Sequence, residues 1–378
     1  RPVRRVIPWL AAVLLAFANE LILWWLSGDQ YMIEVKGQDY LPLLFLIWAP
    51  LSAAFVMGLL VAGGYHEPRM AALLSLAILG LGLYPLWAHT LIGDRTLERH
   101  YLDQTVPHLA LLAWSALGVF VLRSRADTPN RFAFLIKSLE IFIMAGLFAI
   151  AGGIFTAITA GLFEALAITL PDAVMRLFVA GGFGVIPVLA VTVIYDASVA
   201  PAAQSFEDGL SKVIATLMRV LLPLTLFVLV VYLGFIPFRF WEPFQNRDVL
   251  IIYNAMLFAV IALLVGATPI KVEIVTPGLR IWLRRGLIAV ALLATMVSVY
   301  ALAAIVYRTW EGGITLNRLT IIGWNLINIG ILVALLFRQR RADERTWASA
   351  MQAAFGTGMP VYVVWAVFVV LAMPWLFQ

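Results

Sequence analysis

The sequence predicts an all-α, polytopic transmembrane helix bundle of about eleven spans, with ten to twelve as the range. Three observations carry that prediction. Apolar residues fill 63% of the 378 positions and charged residues only 12%, against roughly 45–50% and about 25% in soluble domains. Long apolar stretches recur along the chain, each near the ~20 residues that a helix needs to cross ~30 Å of hydrocarbon. The polar loops between them alternate between rich and poor in Lys and Arg. A chain with a mean hydropathy of +0.97 cannot hide so much apolar side chain from water, so lipid is part of its solvent.

In chain order the spans read as 7–26, 41–63, 70–92, 107–122, 134–157, 174–195, 212–234, 249–268, 286–307, 319–337 and 358–377. The first carries no small-residue cleavage pattern and reads as a retained helix rather than a signal peptide. All 378 residues read as a single integral membrane domain. The absence of Cys excludes disulfides, thiolate catalysis and Cys-ligated metal sites. The net charge of +5 sits in the loops and does not indicate a nucleic-acid partner.

The loops also set an orientation. One side collects 17 Lys and Arg, including Arg1, Arg4, Arg5, Arg280, Arg284 and Arg285, and the other collects eight, with Arg219 left inside a span. Positive charge stays on the cytoplasmic side, which puts the N-terminus in the cytoplasm and the C-terminus outside. Trp24, Trp25, Trp87, Trp241, Trp310 and Trp375 fall near the outer span ends, and Trp9 and Trp282 near the inner ones, as interface anchors.

Three places break the regularity. Arg131 to Leu170 is apolar for 40 residues, about 60 Å of helix, so a bend at Gly161 is expected to lay 158–170 in the outer interface or make it re-enter the membrane. Gly181, Gly182, Gly184 and Pro187 lie in the middle of the sixth span. They are either a helix break of the kind that lines transport sites or small residues for close helix packing. Arg338 to Arg345, followed by an Ala-rich run, marks 338–357 as a basic amphipathic element expected on the cytoplasmic surface, where it would bind anionic lipid headgroups. No internal repeat is evident.

Between the ninth and tenth spans the chain reads Tyr307-Arg308-Thr309-Trp310-Glu311-Gly312-Gly313-Ile314-Thr315-Leu316-Asn317-Arg318. Together with Leu222-Pro223-Leu224 and Tyr232-Leu233, this resembles the bacterial membrane family catalogued as domain of unknown function 4153, over about residues 130–340. Gly313, Thr315 and Arg318 fit the family's loop pattern, whereas Gly312 replaces its usual Tyr and Ile314 its Leu. The resemblance implies a multi-pass protein of the bacterial inner membrane and no particular reaction. In physical terms, the Gly pair permits a tight turn, and Thr315 or Asn317 can cap the next helix. Arg318 falls at that helix's N-terminus, where a cation needs compensation, and Glu311 is the nearest candidate.

Ionisable groups inside spans are costly and tend to mark function. Asn19 and Glu20 lie in the outer third of the first span. Lys137, Glu140 and Lys212 sit near span ends, where long side chains snorkel or form interfacial ion pairs. Glu20, Arg219, Arg318, Asn325 and Asn328 form the candidate substrate path, and Arg318, Asn325 and Asn328 share one helix face at offsets of seven and three. The alternative for the two asparagines is interhelical hydrogen bonding. His89, His100 and His108 cluster near the outer end of the third and fourth spans, with Asp94, Glu98 and Asp103 between them. They are weak metal or haem candidates or ordinary interfacial histidines, and no cofactor is expected.

These residues lead first to a transporter or channel-like protein for a small solute, ion or lipid, in which Glu20, Arg219, Arg318 and Asn325 border one cavity. The alternative is a non-catalytic scaffold or sensory subunit that acts with a protein partner or as a homo-oligomer. An intramembrane transferase using Glu98, Asp103 or Asp94 is a third. HExxH, GxSxG and Walker-type motifs are absent, so no catalytic residue is assigned.

Overall fold

The computed structural model describes residues 7–123, 125–206 and 209–378, with backbone alone at 247–249 and 274. Arg1, Arg4 and Arg5 lie outside the described residues. Among the described residues eleven helices are long and apolar enough to cross a membrane, the number read from the sequence.

After α1 (Trp9–Leu26) the chain forms a hairpin, β1 (Met32–Val35) and β2 (Gln38–Pro42), which is an exception to the all-helical expectation. Lys36 and Gly37 close it with φ of 52° and 76°. Positive φ at both central residues gives the twist that antiparallel strands accept in a two-residue turn. α2 (Leu44–Ala62) follows, then α3 (Pro68–Leu83), which with the short α4 (Pro85–Ala88) makes one span. Pro68 and Pro85 open their helices, where a missing N–H costs nothing. α5 (Arg95–Leu122) starts at Asp94, whose carboxylate accepts from Thr96 N at 2.8 Å and Leu97 N at 2.9 Å.

α6 (Thr128–Ala165) has 38 residues, about 57 Å at 1.5 Å each. It is helical through Gly161 and corrects the expected bend there; the chain turns only after Ala165. α7 (Asp172–Ile194), α8 (Gly209–Phe235), the short α9 (Glu242–Gln245) and α10 (Arg247–Ala267) follow. α11 (Pro277–Gly312), α12 (Leu316–Arg341), α13 (Trp347–Leu371) and the short α14 (Met373–Leu376) complete the chain.

The sequence reading drew no boundary inside the chain, whereas the contacts group it into two compact units. The first contains residues 1–125, 140–204 and 366–378, and the second 126–139 and 205–365. In the first, α1 packs most closely on α7, and α2 packs on α1, α3, α5 and α7. Trp24 Nε1 donates to Ala173 O at 2.8 Å, and Tyr101 Oη, wholly buried, donates to Val370 O at 2.8 Å. In the second, Leu287, Val290, Ala291, Ala294 and Val297 run along α11 as a fully covered stripe. The stripe is enclosed with Leu222 of α8, Leu257 and Leu264 of α10, Leu332 and Leu335 of α12, and Trp347 and Met351 of α13.

Residues 338–357 are not one surface element. Arg338 to Arg341 end α12, and the Ala-rich run forms the first turns of α13, with Trp347, Ala348, Met351, Ala354 and Phe355 buried in the second core.

Candidate functional site

A concavity of the second unit lies where α12 ends and α13 begins. Ala334, Phe337, Arg338 and Arg341 stand at offsets of three, four and seven, one face of a helix. Thr346, Ser349, Ala350 and Ala353 present the matching face of α13. Between them is an open groove of about 700 Å³ whose wall is mainly apolar.

Local chemistry fixes the two walls. Asp343 accepts from Thr346 Oγ1 at 2.7 Å, Thr346 N at 2.8 Å and Arg345 N at 2.9 Å, so its carboxylate caps the start of α13. The Thr346 hydroxyl, followed by the two amides, holds that carboxyl below the usual carboxylate range. Arg284 of α11 donates to Gln339 O at 3.2 Å and Ala342 O at 2.7 Å, satisfying carbonyls that a helix C-terminus leaves open. Gln339 Nε2 donates to Trp347 O at 2.7 Å. The Arg341 guanidinium lies 4.4 Å from the centroid of the Phe337 ring. Arg338 and Arg341 are both exposed, and among the described residues neither takes part in an ion pair. Two unpaired cations over an alanine floor suit a molecule with an anionic head and an apolar body.

The residues proposed for one substrate path are divided between the two units. Glu20 belongs to the first unit, and Arg219, Arg318, Asn325 and Asn328 to the second. Arg318 Nη1 donates to Gly313 O at 2.6 Å, while Glu311 accepts from Tyr307 Oη at 2.5 Å. The expected Glu311–Arg318 compensation is therefore replaced by a backbone carbonyl. Asn325 Nδ2 donates to Asn254 Oδ1 at 2.9 Å, joining α12 to α10, and Asn328 Oδ1 accepts from Tyr362 Oη of α13 at 2.5 Å. Both asparagines serve as interhelical hydrogen bonders. Arg219 is partly buried on α8, and among the described residues its Nε has no partner.

α7 is helical without a break through Gly181, Gly182, Gly184 and Pro187, which corrects the broken-helix expectation. The glycines bring α1 close. A Cβ at Gly184 would stand 2.7 Å from Glu20 N, and one at Gly181 would stand 2.7 Å from Glu20 Cγ. Asn19, fully buried, donates to Ser52 Oγ at 3.0 Å and Gly184 O at 2.8 Å. Lys137 does not snorkel: it is buried, donating to Ser205 O at 2.7 Å and Ser211 Oγ at 3.1 Å.

The histidines also divide. His89 Nδ1 lies 2.7 Å from Glu98 Oε1, both residues buried. His108 Nδ1 meets Gln104 O at 2.6 Å, one turn back on its own helix. His100 Nδ1 is buried and among the described residues has no partner. Among the described residues no three His, Cys, Asp or Glu gather as metal ligands. Above α5, Tyr40 of the hairpin donates to Asp103 Oδ1 at 2.7 Å, with the Arg99 guanidinium 4.9 Å from its ring centroid. Burial first, then the Asp103 carboxylate, pushes the Tyr40 phenol up to about 12.

Sequence reasoning missed several of these partners. Ser52, Asn254 and Tyr362 carry no charge and sit singly in apolar runs, so pattern alone did not mark them. The Glu98–His89 pair was visible only as two of six polar residues in one loop region.

The eleven apolar helices make the chain a polytopic integral membrane protein. Compared with protein-family models, curated proteins and solved structures, it matches none of them.

Proposed function

We propose that this protein is a membrane transporter of amphiphiles and that the α12–α13 groove takes an anionic phospholipid. The groove carries the reading: Arg338 and Arg341 are available for a phosphate, and Ala334, Ala350 and Ala353 line a floor for an acyl chain. This narrows the small solute, ion or lipid of the sequence reading to lipid. Orientation supports it. With 17 Lys and Arg on one set of loops against eight on the other, the groove faces the cytoplasm, the side of anionic headgroups. Membership of the family called domain of unknown function 4153, and with it the bacterial inner membrane, remains our reading of the Gly313, Thr315 and Arg318 loop.

Native mass spectrometry from nanodiscs holding equal amounts of phosphatidylglycerol and phosphatidylcholine tests it. The wild type is expected to retain phosphatidylglycerol preferentially. At ~1 kcal/mol per basic residue, Arg338→Gln with Arg341→Gln is expected to weaken retention about thirtyfold. Equal retention of the two lipids, or a double variant that binds like the wild type, would overturn the reading.

One observation favours a partner-dependent scaffold as the second reading. No residue in the most apolar eighteen-residue stretch of α6 is buried, and a Cβ added at Gly146, Gly152, Gly153 or Gly161 meets nothing within 4 Å.

A further inference from the structure

Glu20 presents a chemical problem that the groove does not address. It lies on α1 six residues before the helix ends at Leu26, about 9 Å along the axis. Its backbone and Cγ rest on the surface left bare by Gly184 and Gly181. It is partly exposed, and among the described residues it makes no hydrogen bond or ion pair through its carboxyl.

The neighbouring elements offer little counter-charge. α1 has no other ionisable residue, and α2 has none between Leu44 and Ala62. α7 has Asp172 and Arg176, and Arg176 stands five residues from Gly181 toward the end that Trp24 binds. The adjacent amide of Asn19 is already committed to Ser52 and Gly184. A carboxylate at membrane depth with no cation and no donor is a costly species, whereas the neutral acid is tolerated there.

We propose that the Glu20 carboxyl is a proton-binding site of this protein, formed on the α1–α7 seam and facing lipid. The ligand is the proton itself. Gly181 supplies the room: any side chain at that position would occupy the space that the Glu20 stem now fills. A coupling ion could not be named from the sequence, and this site supplies one for a transporter without depending on the lipid groove.

The test uses dicyclohexylcarbodiimide, an apolar reagent that reacts with protonated carboxyls inside the bilayer. The acid proton passes to a reagent nitrogen and the carboxyl oxygen bonds to the central carbon. An oxygen-to-nitrogen acyl shift then leaves a stable N-acylurea with no leaving group. The full chain in nanodiscs is treated and mapped by peptide mass spectrometry, with Glu20→Gln as the control. Labelling at Glu20 is expected to run at least about fivefold faster near pH 6 than near pH 9, and to be absent in the control. No label at Glu20 at either pH, or equal rates at both, would overturn the proposal. Loss of Arg338 and Arg341 leaves this readout unchanged, so failure of the lipid reading and failure of this one are distinguishable.

Discussion

Helices α6 and α7 are both apolar and punctuated by glycine, yet their glycines do opposite things. In α7 an added Cβ at Gly184 would run into the backbone of α1 at 2.7 Å, and one at Gly181 into the Glu20 side chain. In α6 the four glycines from Gly146 to Gly161 face open space. The same residue type marks the closest helix approach in one case and an uncovered helix in the other. What separates them is the partner: α1 offers a small polar stretch at Asn19 and Glu20, with Asn19 bonding the Gly184 carbonyl. Glycine in a membrane helix permits contact, and only a neighbour turns that permission into packing.

The sharpest way to break this contrast is Gly184→Ala. The obstructing atoms are backbone, so a helix must shift, at a cost of about 1–3 kcal/mol. The thermal midpoint in mild detergent is expected to fall clearly; an unchanged midpoint would mean that α1 and α7 are not held so close.

A smaller effect of opposite sign is expected at Gly153→Ala in α6. With nothing in the way, alanine's better helix propensity adds about 0.5–1 kcal/mol, and the midpoint rises. A fall would show that a partner covers this face and would favour the scaffold reading.

The smallest effect lies outside the spans, where the hairpin, like α7, is tied to a neighbour. The Tyr40 phenol is held up to about 12, by burial first and then by Asp103. A raised value in the folded state means that its contribution is complete below the ordinary tyrosine value near 10 and is lost as pH rises through about 12. Tyr40→Phe is expected to remove that component from an alkaline unfolding titration. An identical titration would show that the Tyr40–Asp103 bond contributes nothing.

Much of the architecture was legible because span length follows directly from the thickness of the bilayer. α1, α2, α7 and α10 begin and end within a few residues of the expected limits. The hairpin was missed because Met32 to Pro42 is short and its Lys36-Gly37 turn is a weak signal beside long apolar runs. The Gly161 bend was wrongly expected because a span length was imposed on a helix that runs on to Ala165. At the candidate site, Arg338 and Arg341 were legible as a basic cluster, but their groove was not. It depends on Asp343 starting α13 immediately after α12, so that Ala350 and Ala353 line the groove with Ala334 of α12. Arg318, Asn325 and Asn328 were legible as polar residues at helical offsets, but the partner of each was not.

The most direct measurement is a cryo-electron-microscopy map of the protein in nanodiscs rich in phosphatidylglycerol. Lipid density is expected in the α12–α13 groove, its phosphate within hydrogen-bond reach of Arg338 and Arg341 and its chain along Ala334, Ala350 and Ala353. Ordered lipid elsewhere on the protein beside an empty groove would contradict it.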